Sequence, residues 1–327
     1  MKPKVLVTGA TGFVGSHLVE RLIQRDYEVI VSLRRQSSSK WLDPLDIETR
    51  LVDWKDSYSV NELVQGVDIL VHCAGVTKAL NYNEYHRGNV LPTSSLLREA
   101  KENGSLSRFI FVSSQAVAGP SNDLIPLTED SPCHPLTDYG ITKLKAEKQV
   151  LQYQDDFPVT LLRPCSIYGP RDHEFYPVFK LLKYHLSLLI GSGTMKVNMI
   201  HVHDFVESIV RVIEKKPPSG RTYFVTDGHV YGWPDITQTA GEVYKKKALT
   251  IKLPIVIPKT LGWINDKVSK LTKKPTLLNS QKVKEMLQDA WLCDSRLMRE
   301  ELDWIPSYTL LEGFRETLSW YQENKWL

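Results

Sequence analysis

Three side chains in the middle of the chain have the types and spacing that proton exchange requires. Tyr139 and Lys143 lie four residues apart in a helical stretch and therefore share one face of the helix. A phenol titrates near pH ~10, so Tyr139 needs a nearby cation, such as the Lys143 ammonium, to favour the phenolate at neutral pH. Ser113 and Ser114 end the apolar run that starts at Arg108, and a serine hydroxyl there could hold a substrate oxygen while Tyr139 gives or takes its proton. This set predicts a site where a nicotinamide exchanges hydride with a carbon atom.

A glycine-rich loop near the start of the chain predicts a socket for a dinucleotide. It joins the apolar strand Lys4 to Thr8 to an amphipathic helix that starts near Ser16, which is the context that the motif needs. Gly9 can take the dihedral angles of the turn, Gly12 lets the backbone approach a pyrophosphate, and Gly15 allows close packing of helix on strand. The free N–H groups at the start of the helix would bind the phosphates. The candidate cofactor-binding residues in this loop are Gly9, Thr11, Gly12, Phe13, Val14 and Gly15.

Short apolar runs alternate with helical segments over the first half of the chain. Six predicted strands are Val5 to Thr8, Val29 to Leu33, Thr49 to Val52, Ile69 to His72, Phe109 to Ser113 and Val159 to Leu162. This alternation predicts an α/β fold with a doubly wound parallel sheet, the Rossmann arrangement, covered on both faces. After Arg163 the regularity ends, which predicts a smaller C-terminal lobe that binds the substrate. We therefore assign a dinucleotide-binding domain to residues 1–162 and a substrate lobe, including Thr222 to Val225, to residues 163–327.

The order of these motifs resembles the extended short-chain dehydrogenase/reductase family, also called the NAD-dependent epimerase/dehydratase family. Thr8 to Gly15 is similar to the cofactor fingerprint of that family, and Val112 to Gly119 is similar to its catalytic serine segment. In the family pattern the catalytic hydroxyl lies five residues before the last glycine, which selects Ser114 rather than Ser113. The resemblance spans essentially the whole chain, and it implies that some late segments return to the first domain.

The resemblance also implies roles for further residues. Tyr139 and Lys143 match the active-site pair, and Lys143 would hold the nicotinamide ribose while lowering the pKa of the tyrosine. Contacts on the adenine side or along the cofactor channel are implied for Asp53, Trp54, Cys73, Ala74, Gly75, Asn89 and Pro164.

The second predicted strand bears on the choice of cofactor. NAD-specific members place an acidic residue at its end to accept hydrogen bonds from the ribose, whereas here Leu33 is followed by Arg34 and Arg35. A guanidinium suits a 2′-phosphate that a carboxylate would repel. We therefore expect NADP, with NAD as the alternative.

Composition limits the class of protein. The 327 residues are 42% hydrophobic and 24% charged, which indicates a globular chain. A net charge of +3 argues against a general nucleic-acid role. The start does not resemble a secretory signal, no run of eighteen apolar residues follows, and we expect a cytoplasmic protein. The four cysteines are widely spaced, without a Cys-x-x-Cys pair, which favours reduced thiols over a disulfide frame or a zinc site.

The segment Ile200 to Asp204 contains two histidines and resembles a later box of the family. Two histidines separated by one residue, without a third ligand, do not make a metal site, and we expect no metal. Asp204 is expected to cap a helix from Phe205 to Glu214.

The segment Lys245 to Lys284 contains eleven lysines and one acidic residue, Asp266. Its apolar residues could contact an anionic membrane surface peripherally. The alternative, which we favour, is that Leu261, Ile264 and Val268 pack inward at helical spacing while the lysines are solvated.

Two departures from the family pattern bear on the small-molecule substrate. Val197 stands where nucleotide-sugar epimerases usually present an arginine to the diphosphate, and Gln115 and Ala116 replace the acidic pair of the dehydratases. What remains resembles the branch of 3-beta-hydroxysteroid dehydrogenases and dihydroflavonol reductases. The leading hypothesis is an NADP-dependent reductase or dehydrogenase for a ketone/alcohol pair on a fairly hydrophobic molecule. The alternatives are a UDP-sugar epimerase and a non-catalytic NADP-binding module.

Family members commonly dimerise through a four-helix contact. In this chain the corresponding helices are predicted at Glu84 to Asn103 and Tyr139 to Gln154, and both are long enough to bury an apolar stripe. The resemblance therefore implies a homodimer.

Overall fold

The structure is a computed structural model that describes residues 2–191, 193–245 and 248–327. Its strands are β1 (Lys4–Thr8), β2 (Glu28–Leu33), β3 (Glu48–Leu51), β4 (Ile69–His72), β5 (Arg108–Val112), β6 (Val159–Pro164), β7 (Ser166–Tyr168), β8 (Leu186–Ile190), β9 (Lys196–Val197), β10 (Met199–His201), β11 (Arg221–Val225), β12 (Tyr231–Gly232), β13 (Leu249–Leu253) and β14 (Ala290–Trp291). Its α-helices are α1 (Phe13–Gln24), α2 (Ser57–Val64), α3 (Tyr82–Asn89), α4 (Leu91–Asn103), α5 (Asp138–Leu151), α6 (Tyr176–Lys183), α7 (Val202–Lys215), α8 (Trp233–Tyr244), α9 (Val256–Thr272), α10 (Ser280–Met286), α11 (Arg296–Leu302) and α12 (Leu310–Glu323). A 3-10 helix covers Gln115–Val117.

The central sheet has seven strands in the order β11-β6-β5-β4-β1-β2-β3, and all its pairings are parallel. The doubly wound Rossmann sheet predicted from the sequence is therefore confirmed. Apolar runs buried on both faces form its middle strands, as a sheet covered by helices on each side requires.

Alternation along each strand sends its side chains to two separate cores. Val5 and Val7 of β1 pack on one face with α1 and α7, whereas Leu6 packs on the other face with α2, α4 and α5. Both faces are covered, so the open end of the site lies at an edge of the sheet rather than on a face.

The seventh strand corrects the sequence analysis. Arg221–Val225, assigned there to the second lobe, pairs with β6 as the edge strand of the main sheet. The helix before it, α7, buries an apolar face against the same core. The chain thus returns to the first domain after residue 162, as the family resemblance implied, although the apolar run itself did not identify Arg221–Val225 as the returning segment.

The remaining elements form the second lobe. Helices α6, α8 and α12 surround a core of aromatic residues that includes Tyr168, Phe179 and Phe314. Three small sheets lie outside the central sheet: β7 with β10, β8 with β13, and β9 with β12 and β14.

The helix predicted from Glu84 to Asn103 is two helices. Helix α3 ends at Asn89 and α4 begins at Leu91 with Pro92 in its first turn, where the missing N–H is tolerated. Both helices contact α5, so the three helices still form one surface.

The lysine-rich helix α9 also corrects the sequence analysis. It packs against α10, where a Cβ on Gly262 would lie 3.1 Å from Val283 Cγ2, and its buried residues are Pro258, Gly262 and Ser269. Leu261, Ile264 and Val268, expected to pack inward, are 45%, 42% and 44% exposed. In the described ranges no helix is long and apolar enough to cross a membrane.

Candidate active site

The predicted site residues lie at the carboxyl edge of the central sheet. Because the strands are parallel, the residues that follow β1, β4, β5 and β6 emerge at the same edge. Helix α1 covers one face after β1, and α4 covers the other face after β4. Ligands of open α/β sheets bind where neighbouring strands lead to opposite faces in this way.

The glycine loop has the geometry of a phosphate cradle. Gly9 has a φ of +72°, and a Cβ there would lie 2.6 Å from the Ala74 backbone nitrogen. A Cβ on Gly15 would overlap the Gly9 carbonyl oxygen, so both positions require glycine. Gly12 is the N-cap of α1 and provides no capping side chain, which leaves first-turn N–H groups of Phe13 and Val14 for an anion. Thr11 lies within the same loop.

Ser114 and Tyr139 are brought together by two local turns. Ser114 is the N-cap of the 3-10 helix and its Oγ accepts a hydrogen bond from the Ala116 N–H at 3.1 Å. Tyr139 lies in the first turn of α5, close enough to Ser114 for the serine hydroxyl to lower the pKa of its phenol. Gly140 makes this possible, because a Cβ there would overlap the Ala116 carbonyl oxygen. The sequence analysis did not single out Gly140, although its place beside Tyr139 was the available signal.

Lys143 is buried one turn after Tyr139. Its ammonium donates a hydrogen bond to the Val112 carbonyl oxygen at 2.7 Å and lies 4.0 Å from the centre of the Phe111 ring. Burial lowers the pKa of Lys143 to about 8, against the opposing charge of Glu147. The cation therefore stays in the site at neutral pH, but it is held by β5 rather than by the tyrosine.

The pKa of Tyr139 differs from the sequence-based expectation. Burial raises the pKa of the phenol above its usual value, and the neighbouring Ser114 hydroxyl opposes that shift only in part. Lys143 was expected to lower this pKa, but its ammonium is directed at the Val112 carbonyl group. The phenol is therefore protonated at neutral pH, which suits a group that donates a proton.

Asn89 links the loop after β4 to α5. Its side-chain amide accepts from the Val76 N–H at 2.6 Å and donates to the Val76 carbonyl oxygen and to Thr142 Oγ1. A Cβ on Gly75 would lie 3.2 Å from Asn89 Oδ1 and 4.0 Å from Lys143 Nζ. Gly75 thus lies beside Lys143, and Asn89 joins the loop that contains Gly75 to the helix that contains Lys143.

Neighbouring residues of that channel are fixed through β1. Thr8 Oγ1 accepts a hydrogen bond from the Ala74 N–H at 3.3 Å. Cys73 is half-buried, and burial raises the pKa of its thiol to about 12, so the thiol is neutral. Pro164 is buried at the end of β6, opposite Val225.

Two buried titratable residues, His72 and Glu147, form hydrogen bonds below this edge of the sheet. Both ring nitrogens of His72 have partners, Thr8 Oγ1 at 2.6 Å and Thr93 Oγ1 at 3.0 Å, and burial lowers the pKa of the imidazole to about 3. The carboxylate of Glu147 accepts two hydrogen bonds from Arg163, at 2.7 and 3.0 Å, with both side chains buried. The sequence analysis missed Glu147, although its position four residues after Lys143 places it on the same helix face.

The adenine end of the predicted site lies at the ends of β2 and β3. Arg34 and Arg35 follow β2 and are exposed, and neither guanidinium has a partner in the described part of the chain. Asp53 follows β3, is exposed, and accepts a hydrogen bond from the Lys55 N–H at 3.0 Å. Trp54 packs against the core beside it. Two free guanidinium groups and an exposed carboxylate thus lie at neighbouring strand ends.

Asp204 does not cap the expected helix. Helix α7 begins at Val202, so Asp204 lies in its first turn. Its carboxylate accepts hydrogen bonds from the N–H groups of Ser307 and Tyr308 at 2.9 and 3.0 Å, which fixes the segment before α12. Across residues 2–191, 193–245 and 248–327, no group of three or more His, Cys, Asp or Glu side chains could hold a metal ion.

Comparisons with known proteins identify the family and several similar enzymes. The model of the NAD dependent epimerase/dehydratase family matches residues 5–225. Ceramide reductase of Caulobacter vibrioides is 31% identical over 99% of this chain and 96% of its own length. UDP-glucose 4-epimerase of Vibrio cholerae is 26% identical over 97% of this chain and 95% of its own length. The crystal structure of UDP-glucuronic acid 4-epimerase from Bacillus cereus, in complex with UDP-glucuronic acid and NAD, has a TM-score of 0.79 and 22% identity, with 98% of this chain and 99% of that one covered.

Proposed function

Because the chain belongs to the NAD-dependent epimerase/dehydratase family, we propose that it reduces a ketone, or oxidises the corresponding alcohol, with NADP(H). The observation that carries this proposal is the placement of Ser114 close to Tyr139, with the buried ammonium of Lys143 one turn further along α5. These groups lie at the sheet edge that also carries the glycine loop.

The residues present suit a nicotinamide dinucleotide. The glycine loop offers uncapped N–H groups for the pyrophosphate, and Lys143 offers a buried cation beside Gly75 for the nicotinamide side. When bound, the nicotinamide supplies or accepts the hydride.

The chain itself supplies orientation and the proton. Ser114 donates a hydrogen bond to the substrate oxygen and orients it toward Tyr139. In reduction, the phenolic proton of Tyr139 passes to that oxygen, and in oxidation the phenolate takes the proton back. Lys143 stabilises the charge that remains on the tyrosine when the proton has left.

We propose that the cofactor is NADP rather than NAD, because of the residues at the adenine end of the site. Arg34 and Arg35 are exposed and unpaired at the end of β2, where they could bind a 2′-phosphate in a bidentate manner. Leu33, the last residue of that strand, offers no carboxylate to a ribose hydroxyl.

A fairly hydrophobic substrate is supported by two observations. Val197, at the position where an arginine would bind a diphosphate, lies on β9 between β12 and β14. The relative with 31% identity over nearly the whole chain is a reductase named for ceramide. The epimerase alternative keeps the same three catalytic groups and is favoured by the similarity to a UDP-glucose 4-epimerase.

The two functions treat the cofactor differently, and calorimetric titration of the cofactor-stripped protein separates them. For the reductase we expect tighter binding of NADPH than of NADH, no response to UDP-sugars, and turnover of NADPH with a panel of apolar ketones. Preference for NADH together with binding of a UDP-sugar would contradict the proposal and favour the epimerase.

A double variant and a matched control test the role of the two arginines. Arg34→Ser combined with Arg35→Ser is expected to weaken NADPH binding about 10-fold or more and to leave NADH binding unchanged, because only the 2′-phosphate contacts are lost. Arg315→Ser, at an exposed arginine of α12, is the matched control and should change neither affinity. Equal weakening of both cofactors by the double variant would show that Arg34 and Arg35 do not select NADP.

We also propose that the protein forms a homodimer through α3, α4 and α5. Leu91 on α4 and Ile141 on α5 are large apolar side chains that remain exposed on this surface. Sedimentation equilibrium of the purified protein should give twice the mass of the 37.4 kDa chain. A single species at the mass of one chain would contradict the proposal.

A further inference from the structure

The exposed apolar side chains of this protein are concentrated in one short segment. Twenty large apolar side chains are exposed within the described residues, and eleven of these lie between Leu249 and Leu277. A water-exposed patch of this kind normally marks a site of interaction with a protein or a membrane.

Helix α9 presents its apolar face away from the protein. Five large apolar residues recur at spacings of four and three and therefore share one face: Ile257, Leu261, Ile264, Val268 and Leu271. All five are exposed, and Leu271 is 86% exposed. On the opposite face, Gly262 has no side chain and lets α10 approach closely. A Cβ there would lie 3.1 Å from Val283 Cγ2. This arrangement is the reverse of a helix that folds its apolar face onto a core.

The charge around this face is positive. Six exposed lysines lie on or beside α9, at Lys252, Lys259, Lys267, Lys270, Lys273 and Lys274, and within the described ranges none of them has an ion-pair partner. The acidic residue of the segment, Asp266, is half-buried, and its carboxylate accepts a hydrogen bond from the Ser280 N–H. Trp263 is 59% exposed beneath the Lys267 ammonium. An exposed apolar face with Trp and flanking lysines has the composition of an interfacial helix.

The same segment is joined to the catalytic helix. Gln281 of α10 exchanges two hydrogen bonds with Asp138, at 2.7 and 2.8 Å, and Glu285 accepts a hydrogen bond from Thr137 at 3.2 Å. Asp138 directly precedes Tyr139. Helix α10 therefore connects the exposed face of α9 to the start of the helix that carries the proton donor.

We propose that α9 docks on an anionic phospholipid bilayer and that the substrate is a membrane-resident amphiphile, whose ketone reaches Tyr139 from the side of α10. The docking stands on the α9 surface alone, whereas the substrate class rests on the proposed reductase function. Phospholipid head groups supply the negative charge that the lysines lack within the protein, and the acyl boundary accepts the apolar face.

A second copy of the chain fits this face less well. A symmetric dimer through α9 would bring the two sets of lysines together, and like charges at close range oppose association. A nucleic acid would use the lysines but would leave the five apolar side chains in water.

Sedimentation of the full chain with vesicles tests the docking. Vesicles of phosphatidylcholine are compared with vesicles that also contain phosphatidylserine, at low and high salt. We expect binding to the anionic vesicles, weakened by salt. Replacement of Lys259, Lys267 and Lys270 by Gln should weaken it about 100-fold, because each lysine adds to the attraction. No binding of the unmodified protein to anionic vesicles would overturn the docking.

The apolar face is tested with a matched control. Leu261→Ser, Ile264→Ser and Val268→Ser together should abolish vesicle binding, whereas Leu51→Ser with Ile305→Ser, at exposed apolar residues elsewhere, should leave it intact. A change from dimer to monomer in the triple variant, with vesicle binding retained, would overturn the proposal in favour of an interface between copies.

Turnover separates the docking from the function. The triple variant should reduce a water-soluble ketone at the rate of the unmodified protein, but should lose most of its rate on a long-chain ketone embedded in anionic vesicles. If the triple variant and the unmodified protein reduced the embedded ketone at equal rates, the proposed route of the substrate would be overturned. If the unmodified protein bound vesicles but none of the ketones supported oxidation of NADPH, the docking would stand and the reductase function would fail.

Discussion

The carboxyl edge of the central sheet and the outer face of α9 hold their side chains in opposite ways. At the edge, Lys143 and Asn89 are buried, and hydrogen bonds to distant segments fix each of them. On α9, Leu261, Ile264 and Val268 remain exposed. Contacts within the protein thus fix the side chains at the edge before any ligand binds. The exposed side chains of α9 can be covered only by another molecule.

This contrast separates stability from function. Side chains that are buried and hydrogen-bonded contribute to folding as well as to any chemistry, so their replacement has two consequences. Side chains that stay in water contribute little to folding, and a surface that keeps large apolar residues there has another use for them. The contrast predicts large effects at the edge and almost none on α9 in the absence of its partner.

The largest effect is expected at Tyr139. Tyr139→Phe removes the phenolic proton and should lower turnover of NADPH with a ketone by about 10²- to 10⁴-fold, the usual contribution of a general acid. Cofactor affinity, measured by calorimetry, should not change. Tyr153→Phe, just beyond the other end of the catalytic helix, is the control and should keep full turnover. Retained turnover in Tyr139→Phe would exclude the phenol as the proton donor, and lost cofactor binding would undermine its assigned role.

A large effect on folding is expected at Glu147. Glu147→Gln leaves the buried Arg163 guanidinium without its counter-charge, and the free energy of unfolding should fall by about 3–5 kcal/mol. Denaturation in urea at neutral pH measures this loss. Replacing both partners, with Glu147→Leu and Arg163→Met, should recover much of it, because no unpaired charge then remains. A loss below about 1 kcal/mol for Glu147→Gln would show that the pair does not hold the edge together.

A smaller, pH-dependent effect is expected at Lys143, whose pKa is lowered by burial to about 8. Between that value and the ordinary lysine pKa of about 10.4, the unfolded chain keeps the proton and the folded chain has lost it. The unfolded state then binds more protons than the folded state. The free energy of unfolding therefore increases as the pH rises across this range.

Lys143→Met removes that titration. The stability advantage of Lys143→Met over the unmodified, cofactor-free protein should therefore shrink by about 1–3 kcal/mol between pH 8 and pH 10. Urea denaturation at several pH values measures the difference. An advantage that does not change with pH would place the Lys143 ammonium in water rather than in the buried site.

The smallest effect is expected on α9. Leu261→Ser should change the free energy of unfolding by no more than about 0.5 kcal/mol in vesicle-free solution, because this side chain does not pack on the core. The same urea experiment measures it. A loss comparable to that of a buried leucine, about 2–5 kcal/mol on truncation, would show that the face is covered in solution and would remove the contrast with the edge.

The sequence was sufficient wherever the signal is local. The loop from Gly9 to Gly15, the apolar runs of the six predicted strands, and the spacing of Tyr139 and Lys143 each depend on residues only a few positions apart. Parallel strands then bring the loop, Ser114 and the catalytic helix to one edge without any further information. The fold class and the pairing of Tyr139 with Lys143 followed from these patterns alone, whereas the family resemblance selected Ser114 rather than Ser113.

Tertiary structure decided what depends on distant partners. The pairing of Arg221–Val225 with β6 required a free strand edge, and the hydrogen bonds of Asp204 required the segment before α12 to pass beside it. The raised pKa of Tyr139 reflects burial by surrounding elements, and the Lys143 ammonium donates its hydrogen bond to the Val112 carbonyl group instead. The spacing of Leu261, Ile264 and Val268 defined an apolar face of α9 but not its direction. Local sequence sets which residues share a face, whereas burial is set by the segments that come to cover it, and here none of the described elements does.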